Sequence, residues 1–333
     1  MKIGLVGAGW AARQHSNSIA TIGGAEIVAV FDVDQGNGNA LANDIGALAV
    51  DTLDNLLALD LDAVVVSTPS GAHREAVVPA LMLGMAVFVE KPVSRSMEDA
   101  LAIADAAERS GAVCAVGYQW RALDNLGPVH DDLQVAKPAL MVSQGVGITQ
   151  ARSWFNDDRL SGGLIFERVS HHIDLQRMIA GEVASVSAVR GGVALSGRVA
   201  SAGALDDVLS LTLRFTSGAI GVISVGWTPE DYPPTQSLAL HTTGSSFDIA
   251  LDPDFTVADR SGANIPRTVI EHPFTRQMRS FLGAARNKAP ALVHCTARDA
   301  AGTVAVCLAA ASSLGKSGQQ ANVKLQGHAD EET

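Results

Sequence analysis

The chain has 333 residues, of which 47% are hydrophobic and 18% charged, and its formal net charge is −11. That length and balance fit a globular protein of about two domains with a sizeable core, and no apolar run reaches membrane-spanning length: residues 305–311 form a short apolar stretch that reads as a buried helix. The acidic balance argues against a nucleic-acid partner and against attraction to anionic membranes.

The first 120 residues alternate two patterns. Residues 3–6, 27–31, 63–67, 86–89 and 113–116 are short, nearly continuous apolar runs, as expected of strands buried on both faces of a parallel sheet. Between them, residues 11–22, 73–83 and 97–110 read as helices. The alternation predicts an α/β, doubly wound sheet. After Tyr118 the pattern changes. A helix is expected over 125–135, then an apolar run over 139–146, then Gly162-Gly163 leading into a helix over 164–179. Strand-like runs follow at 183–193, 208–215, 219–225, 237–243 and 246–251, without long helices between them. Thr216-Ser217-Gly218 and Thr243-Gly244-Ser245 supply hairpin chemistry, so this sheet is expected to be mostly antiparallel. Helices return at 275–287 and 297–314. The expected division is a doubly wound α/β domain over 1–119, a second α/β domain over 120–326 and a polar tail over 327–333.

Gly7-Ala8-Gly9-Trp10-Ala11-Ala12 fits the pattern G-x-G-x-x-A between a strand and a helix. Gly7 permits the tight turn, Gly9 lets backbone approach a pyrophosphate, and Ala12 keeps helix and strand close. The opening amides of the helix, at Trp10 and Ala11, then face the phosphates. Asp32 ends the next apolar run, 23 positions after Gly9. A carboxylate there can accept both ribose hydroxyls and repels a 2′-phosphate, so NAD is expected rather than NADP. A tight turn that binds nothing is the alternative.

Three further segments carry chemistry: Ser67-Thr68-Pro69-Ser70-Gly71-Ala72-His73, Glu90-Lys91-Pro92, and Gly162-Gly163 followed by Glu167, His171 and Asp174. Lys91 ends an apolar strand, at the carboxyl edge where doubly wound folds place ligands. A lysine there can hold a substrate hydroxyl and help move its proton; from spacing alone it is equally a solvated lysine opening a loop. Glu167 and His171 are four apart on a predicted helix and so share a face, with Asp174 three further on. A carboxylate beside an imidazole suits proton removal from an alcohol; by itself, His171 also reads as a satisfied histidine at a domain interface. His171 and His172 project about 100° apart and make a poor metal pair, so no metal is expected.

Together these segments closely resemble the Gfo/Idh/MocA oxidoreductases, named for glucose-fructose oxidoreductase and inositol dehydrogenase, over most of the chain from Lys2 to about Val323. The resemblance implies a Rossmann domain plus a C-terminal domain with a large open, mostly antiparallel sheet, used for substrate binding and for assembly as a homodimer or homotetramer. It implies oxidation of a sugar, inositol or polyol hydroxyl, or the reverse reduction. Lys91 and His171 are then catalytic. Glu167 stands where the family has aspartate, so it either takes part directly or orients His171. Ser67, Thr68 and Pro69 would line the nicotinamide side of the cofactor. His73 would serve either the cofactor or the helix end, and Glu90 would contact cofactor or position Lys91. Gly117-Tyr118-Gln119-Trp120-Arg121 resembles the family's G-[YF]-N-x-R, with Gln119 in place of the usual asparagine as a cofactor contact. Arg121 is a candidate for substrate hydroxyls or for pairing with an acid. Arg152 and Trp154 are candidates for a substrate wall, Trp154 by stacking on a sugar face. Arg168, Arg177 and Lys288 read as solvated, and Cys307 as inert core. Cys114, Cys295 and Cys307 are too scattered for a disulfide framework, and an apolar run directly follows Lys2 without a separate leader, so a cytoplasmic location is expected. Two other activities remain compatible: NAD-dependent glycoside cleavage without net redox, and a non-catalytic dinucleotide sensor.

Overall fold

The structure, a computed structural model, describes residues 1–148, 161–191, 207–228, 233–260 and 266–324. The chain divides into two compact units: Met1–Ala122 with Glu271–Ala301, and Leu123–Ile270 with Gly302–Thr333.

The first unit is built on a six-stranded parallel sheet. Its strands are β1 (Lys2–Val6), β2 (Glu26–Phe31), β3 (Leu48–Ala49), β4 (Ala63–Val66), β5 (Ala86–Val89) and β6 (Cys114–Val116), in the order β3-β2-β1-β4-β5-β6. Four of the five apolar runs read from sequence become strands buried along nearly their whole length, as both faces are covered by helices. Those helices are α1 (Trp10–Ile22), α2 (Gln35–Ile45), α3 (Leu53–Leu57), α4 (His73–Met82) and α5 (Met97–Ser110). The alternation of sequence pattern passed over α2, β3 and α3. α2 contains Gly36 and Gly38 and three asparagines, all poor helix formers. It forms because Asp34 caps Asn37 N, Gly46 closes the other end in a left-handed conformation, and Leu41 and Ala42 are buried. The strand order turns at β1–β4, so the crevice for a ligand opens where Gly7 and Ser67 leave those strands.

The second unit contains α6 (Gly127–Leu133), the strand β7 (Pro138–Ile148), and α7 (Ser170–Ala180). Eight more strands complete a nine-stranded sheet: β8 (Val183–Arg190), β9 (Val208–Phe215), β10 (Ile220–Thr228), β11 (Thr235–Thr242), β12 (Ser246–Ala250), β13 (Thr256–Asp259), β14 (Arg267–Thr268) and β15 (Ala321–Asn322). Its order is β14-β13-β12-β11-β7-β10-β9-β8-β15, antiparallel except for the central β7–β10 pair. Both expected hairpins are present. Gly218 closes β9–β10 at φ +90°, and Thr242 Oγ1 accepts the amides of Gly244 and Ser245 at β11–β12. Buried and accessible positions alternate along these strands, the mark of a sheet covered on one face.

The chain first crosses between the units at Ala122–Leu123, and neither unit is one continuous segment. α8 (Pro273–Asn287) returns to the first unit, where Met278, Phe281 and Leu282 are completely buried in the core with Ile3, Leu5 and Phe88. Phe281 meets the edge of Phe88 with ring centroids 5.7 Å apart. Each such side chain contributes about 1.5–3 kcal/mol of burial. The amphipathic period of residues 275–287 identifies a helix but not which sheet it covers. α9 (Ala297–Gly315) is the expected apolar final helix, with Cys307 wholly buried within it. Among the described residues no helix is long and apolar enough to cross a membrane. The expected tail, 327–333, lies outside the described residues.

Candidate active site

In the first unit the candidate residues begin at the β1–α1 turn. Gly7 adopts φ +94°, and a Cβ there would stand 2.7 Å from the Ser67 carbonyl oxygen, so both conformation and space demand glycine. Gly9 differs: it is the N-cap of α1 in extended backbone, and a Cβ there would meet nothing within 4 Å. No side chain caps α1 and its first turn holds no acid. Its opening amides therefore have no capping side chain, the arrangement that can receive a phosphate. Trp10 is 55% exposed and meets Phe274 edge-on at 6.0 Å. Asp32 ties this turn to β2. Its Oδ2 accepts Ala8 N at 2.6 Å and its Oδ1 accepts Asp34 N at 2.8 Å, which leaves a half-buried carboxylate held rigidly beside the turn. Across the switch point, Ser67 Oγ and Thr68 Oγ1 are buried without hydrogen-bond partners, and Pro69 beside them is exposed. Open space at Gly9, uncapped amides and two orphaned hydroxyls are what a dinucleotide requires, so the residues present fit NAD.

His73 is wholly buried as the first residue of α4. It caps nothing; its Nε2 lies 2.9 Å from Thr68 O and its Nδ1 3.2 Å from Val93 O. Burial, opposed in part by those carbonyls, lowers its pKa, so the ring is neutral and donates to one carbonyl at a time. It braces two loops.

Lys91 leaves β5 half-buried, and its bond to Pro92 is cis. Glu90 beside it accepts Lys91 N on Oε2 at 3.1 Å and faces His15 Nε2 with Oε1 at 2.7 Å. Burial alone would raise the Glu90 carboxyl, but the His15 hydrogen bond and the charge of Lys91 outweigh it and hold the group below the usual carboxylate range. Gln119 opens a 3₁₀ turn, Gln119–Ala122, directly after β6, and is half-buried. Arg121, expected at substrate hydroxyls, ion-pairs with Asp299 and has only 6% of its side chain exposed. Of the two roles read for it, pairing with an acid is the one the structure displays.

The second unit carries candidate residues of its own. The expected single α-helix over 164–179 begins with a π-helical turn, Ile165–Val169, and continues as α7. Glu167 lies in the π turn and His171 in the first turn of α7, both half-buried. Such insertions re-aim side chains and cluster at functional sites. Asp174, expected on the same face, is buried and accepts Thr303 Oγ1 at 3.1 Å. Two expectations are corrected here, those for Arg177 and Arg168. His172 is fully buried with Nε2 2.9 Å from Gln236 Oε1. Arg177 is not solvated: it pairs with Glu182 at 2.6 Å and donates to Thr303 at 2.9 Å. Arg168 stacks over Trp227 at 4.8 Å, and burial lowers its pKa to about 10. Lys288 is exposed, as expected. Arg152 and Trp154 lie outside the described residues. Among the described residues no group of three His, Cys, Asp or Glu side chains is placed to hold a metal ion.

Sequence reading missed His15, although it stands on α1 only six residues after Gly9. The available signal was a titratable ring among the small side chains buried on α1, Ala12, Ser16 and Ser18.

Residues 1–118 match the Gfo/Idh/MocA oxidoreductase family model with its NAD-binding Rossmann fold, and residues 139–247 match the Gfo/Idh/MocA C-terminal domain. The chain is 34% identical to glucose-6-phosphate 3-dehydrogenase of Bacillus subtilis over 37% of this chain and 35% of that protein. It is 26% identical to scyllo-inositol 2-dehydrogenase (NAD(+)) of the same organism over 74% of this chain and 73% of the relative. The match thus spans about a third of the first relative's length and under three quarters of the second's. In fold it is similar to levoglucosan dehydrogenase solved with NADH and levoglucosan, with a TM-score of 0.83, 18% identity, and 98% and 100% of the two chains covered.

Proposed function

The chain belongs to the Gfo/Idh/MocA oxidoreductase family, and from that premise we propose that it oxidises a secondary hydroxyl of a sugar, inositol or related polyol with NAD, or runs the reverse reduction. One observation carries the reading. Lys91 stands at the carboxyl edge of the same parallel sheet whose β1–α1 turn is open for a phosphate at Gly9. Bound NAD would supply the hydride acceptor. Gly7, Gly9, Trp10 and Ala11 would hold its pyrophosphate through backbone. Ser67, Thr68 and Pro69 would line its nicotinamide end, with Gln119 as a further contact. Asp32 would accept the ribose hydroxyls and disfavour a 2′-phosphate, which makes NAD the preferred cofactor over NADP.

Lys91 would hold the reacting hydroxyl by its amine, and His171 would take the proton from it. Glu167 reaches one methylene further than an aspartate and would orient His171 or hydrogen-bond the substrate. General acid–base groups of this kind contribute about 10²- to 10⁴-fold to rate. The names of the relatives, a glucose-6-phosphate and an inositol dehydrogenase, support the substrate class.

The test follows nicotinamide reduction spectroscopically with NAD and NADP against inositols, sugars, sugar acids and amino sugars, with Lys91→Ala in parallel. Turnover with NAD that falls by about 10²-fold or more in Lys91→Ala, with NAD affinity retained, is the expected result. Tight NAD binding without net reduction on any substrate would sink the dehydrogenase reading in favour of cleavage without net redox or of a sensor.

A further inference from the structure

We propose that His15 is a positioning residue for Lys91: acting through Glu90, it fixes the turn from which the Lys91 amine extends. The inference rests on the reading of Lys91 as the residue that holds the substrate hydroxyl. His15 lies in the middle of α1 and is completely buried. Three elements set its ring. Phe274 of α8 stacks on it at 4.4 Å and 23°, Phe88 of β5 meets it edge-on at 4.8 Å, and Glu90 Oε1 lies 2.7 Å from its Nε2. Its Nδ1 is buried and has no hydrogen-bond partner, so the ring proton belongs on Nε2, where the carboxylate accepts it.

Glu90 is held in turn on its other sides. Its Oε2 accepts Lys91 N, and a Cβ at Gly117 would lie 3.2 Å from both carboxylate oxygens, so the group is seated against the end of β6. A connected path therefore runs from α1 through an imidazole and a carboxylate to the backbone amide of Lys91. A buried polar pair is a poor source of stability compared with apolar side chains of the same volume. What it supplies is direction: the ring cannot rotate between two phenylalanines, and the carboxylate cannot move without leaving Nε2 unpaired. From the other side, His73 contacts Val93 O, two residues beyond Lys91.

Two substitutions separate orientation from packing. His15→Phe keeps an aromatic ring between Phe88 and Phe274 but removes the donor to Glu90. His15→Gln keeps a donor of similar reach but loses the stack. The first readout needs no substrate: the rate at which an amine-reactive acetylating reagent modifies Lys91 in the cofactor-free protein at one pH, mapped by peptide mass spectrometry, with exposed Lys2 and Lys288 as internal references. His15→Phe is expected to change Lys91 modification about tenfold relative to those references, and His15→Gln to stay within about threefold of wild type. On a turned-over substrate, kcat is expected to fall about 10- to 100-fold in His15→Phe with KM for NAD little changed. Should His15→Phe fail to fold, Glu90→Ala is expected to reproduce the Lys91 effect. Unchanged Lys91 modification in whichever of these variants folds, with only a lowered melting temperature, would overturn the inference. Wild-type protein that reduces no NAD would count against the dehydrogenase reading, while the modification experiment would still decide whether His15 governs Lys91.

Discussion

In the first unit the groups that would meet a ligand are largely backbone: the turn at Gly7, the uncapped amides of α1, and a carboxylate at Asp32 that itself binds amides. In the second unit they are side chains on one helical segment laid across a sheet. There Arg168, His172 and Gln176, four residues apart, press into gaps that glycines leave. A Cβ at Gly147 would collide with the Arg168 guanidinium, one at Gly145 would crowd Gln236 and His172, and one at Gly221 would lie 2.1 Å from Gln176 Oε1. Gln176 also donates to Ser143 at 2.9 Å. A parallel sheet buried on both faces has no room for polar side chains in its layer, so polarity gathers at the strand ends. A one-faced sheet can take polar side chains under its helix if its own strands give up theirs.

The largest expected effect tests how the first unit is composed. Phe281→Ala removes a completely buried ring that comes from 165 residues beyond the last strand of the parallel sheet yet packs on Phe88. A loss of about 3–5 kcal/mol is expected in urea unfolding, together with weakened NAD binding. A loss near that of a surface substitution would mean that α8 is an appendage rather than part of this core.

A smaller effect is expected at Gly7. Gly7→Ala puts a side chain at φ +94° and 2.7 Å from a carbonyl oxygen that cannot move without shifting β4. The conformational strain alone is about 1–3 kcal/mol, and calorimetric titration should show NAD affinity lost with it. Gly9→Ala, where the added Cβ meets no protein atom, is expected to leave the unfolding midpoint near wild type while still reducing NAD affinity. Equal stability losses at the two glycines would break the distinction between a glycine needed by the fold and one needed by the ligand.

The contrast between the units also explains what could be read from the chain. The Gly7–Ala12 turn, Asp32 and the Glu90-Lys91-Pro92 edge are local: each requirement falls within a few residues of a strand end and leaves its mark there. Glu167 and His171 were legible as residues of a helical segment, though not as lying one in a π turn and one in an α-helix. The roles of Arg168, His172, Asp174 and Arg177 were not, because their partners Trp227, Gln236, Thr303 and Glu182 are chosen by sheet register and helix packing. The His172–Gln236 contact spans 64 positions, and the bond that Thr303 donates to Asp174 spans 129. A charged or imidazole side chain on a helix reads as solvated until the glycines opposite it are known. The π turn was invisible for the same reason: no residue type in Ile165–Val169 demands it.

The smallest effect is a pH dependence that belongs to the second unit. Burial, reinforced by the charge of Arg168 and opposed by the Gln236 bond, depresses His172 from 6.5 to about 3. The native ring is therefore neutral while the unfolded ring takes up a proton below 6.5, so the unfolded state binds more protons in that window. Stability is intact above about pH 6.5 and declines as pH falls toward 3, by about 1.4 kcal/mol at one pH unit below the unfolded value. His73 of the first unit is depressed in the same direction and adds to the slope, whereas Glu90, with its folded value lowered from 4.5, acts only at more acid pH. His172→Gln preserves a polar partner for Gln236 and removes the titrating ring. Its urea midpoint is expected to be lower than wild type at neutral pH but to fall less between about pH 6.5 and 4.5. An unchanged slope would mean that His172 is protonated in the native protein. The polar side chains beneath the helix would then hold charge, and the glycine-lined gaps in the sheet would be sites for ions rather than for neutral hydrogen-bonded groups.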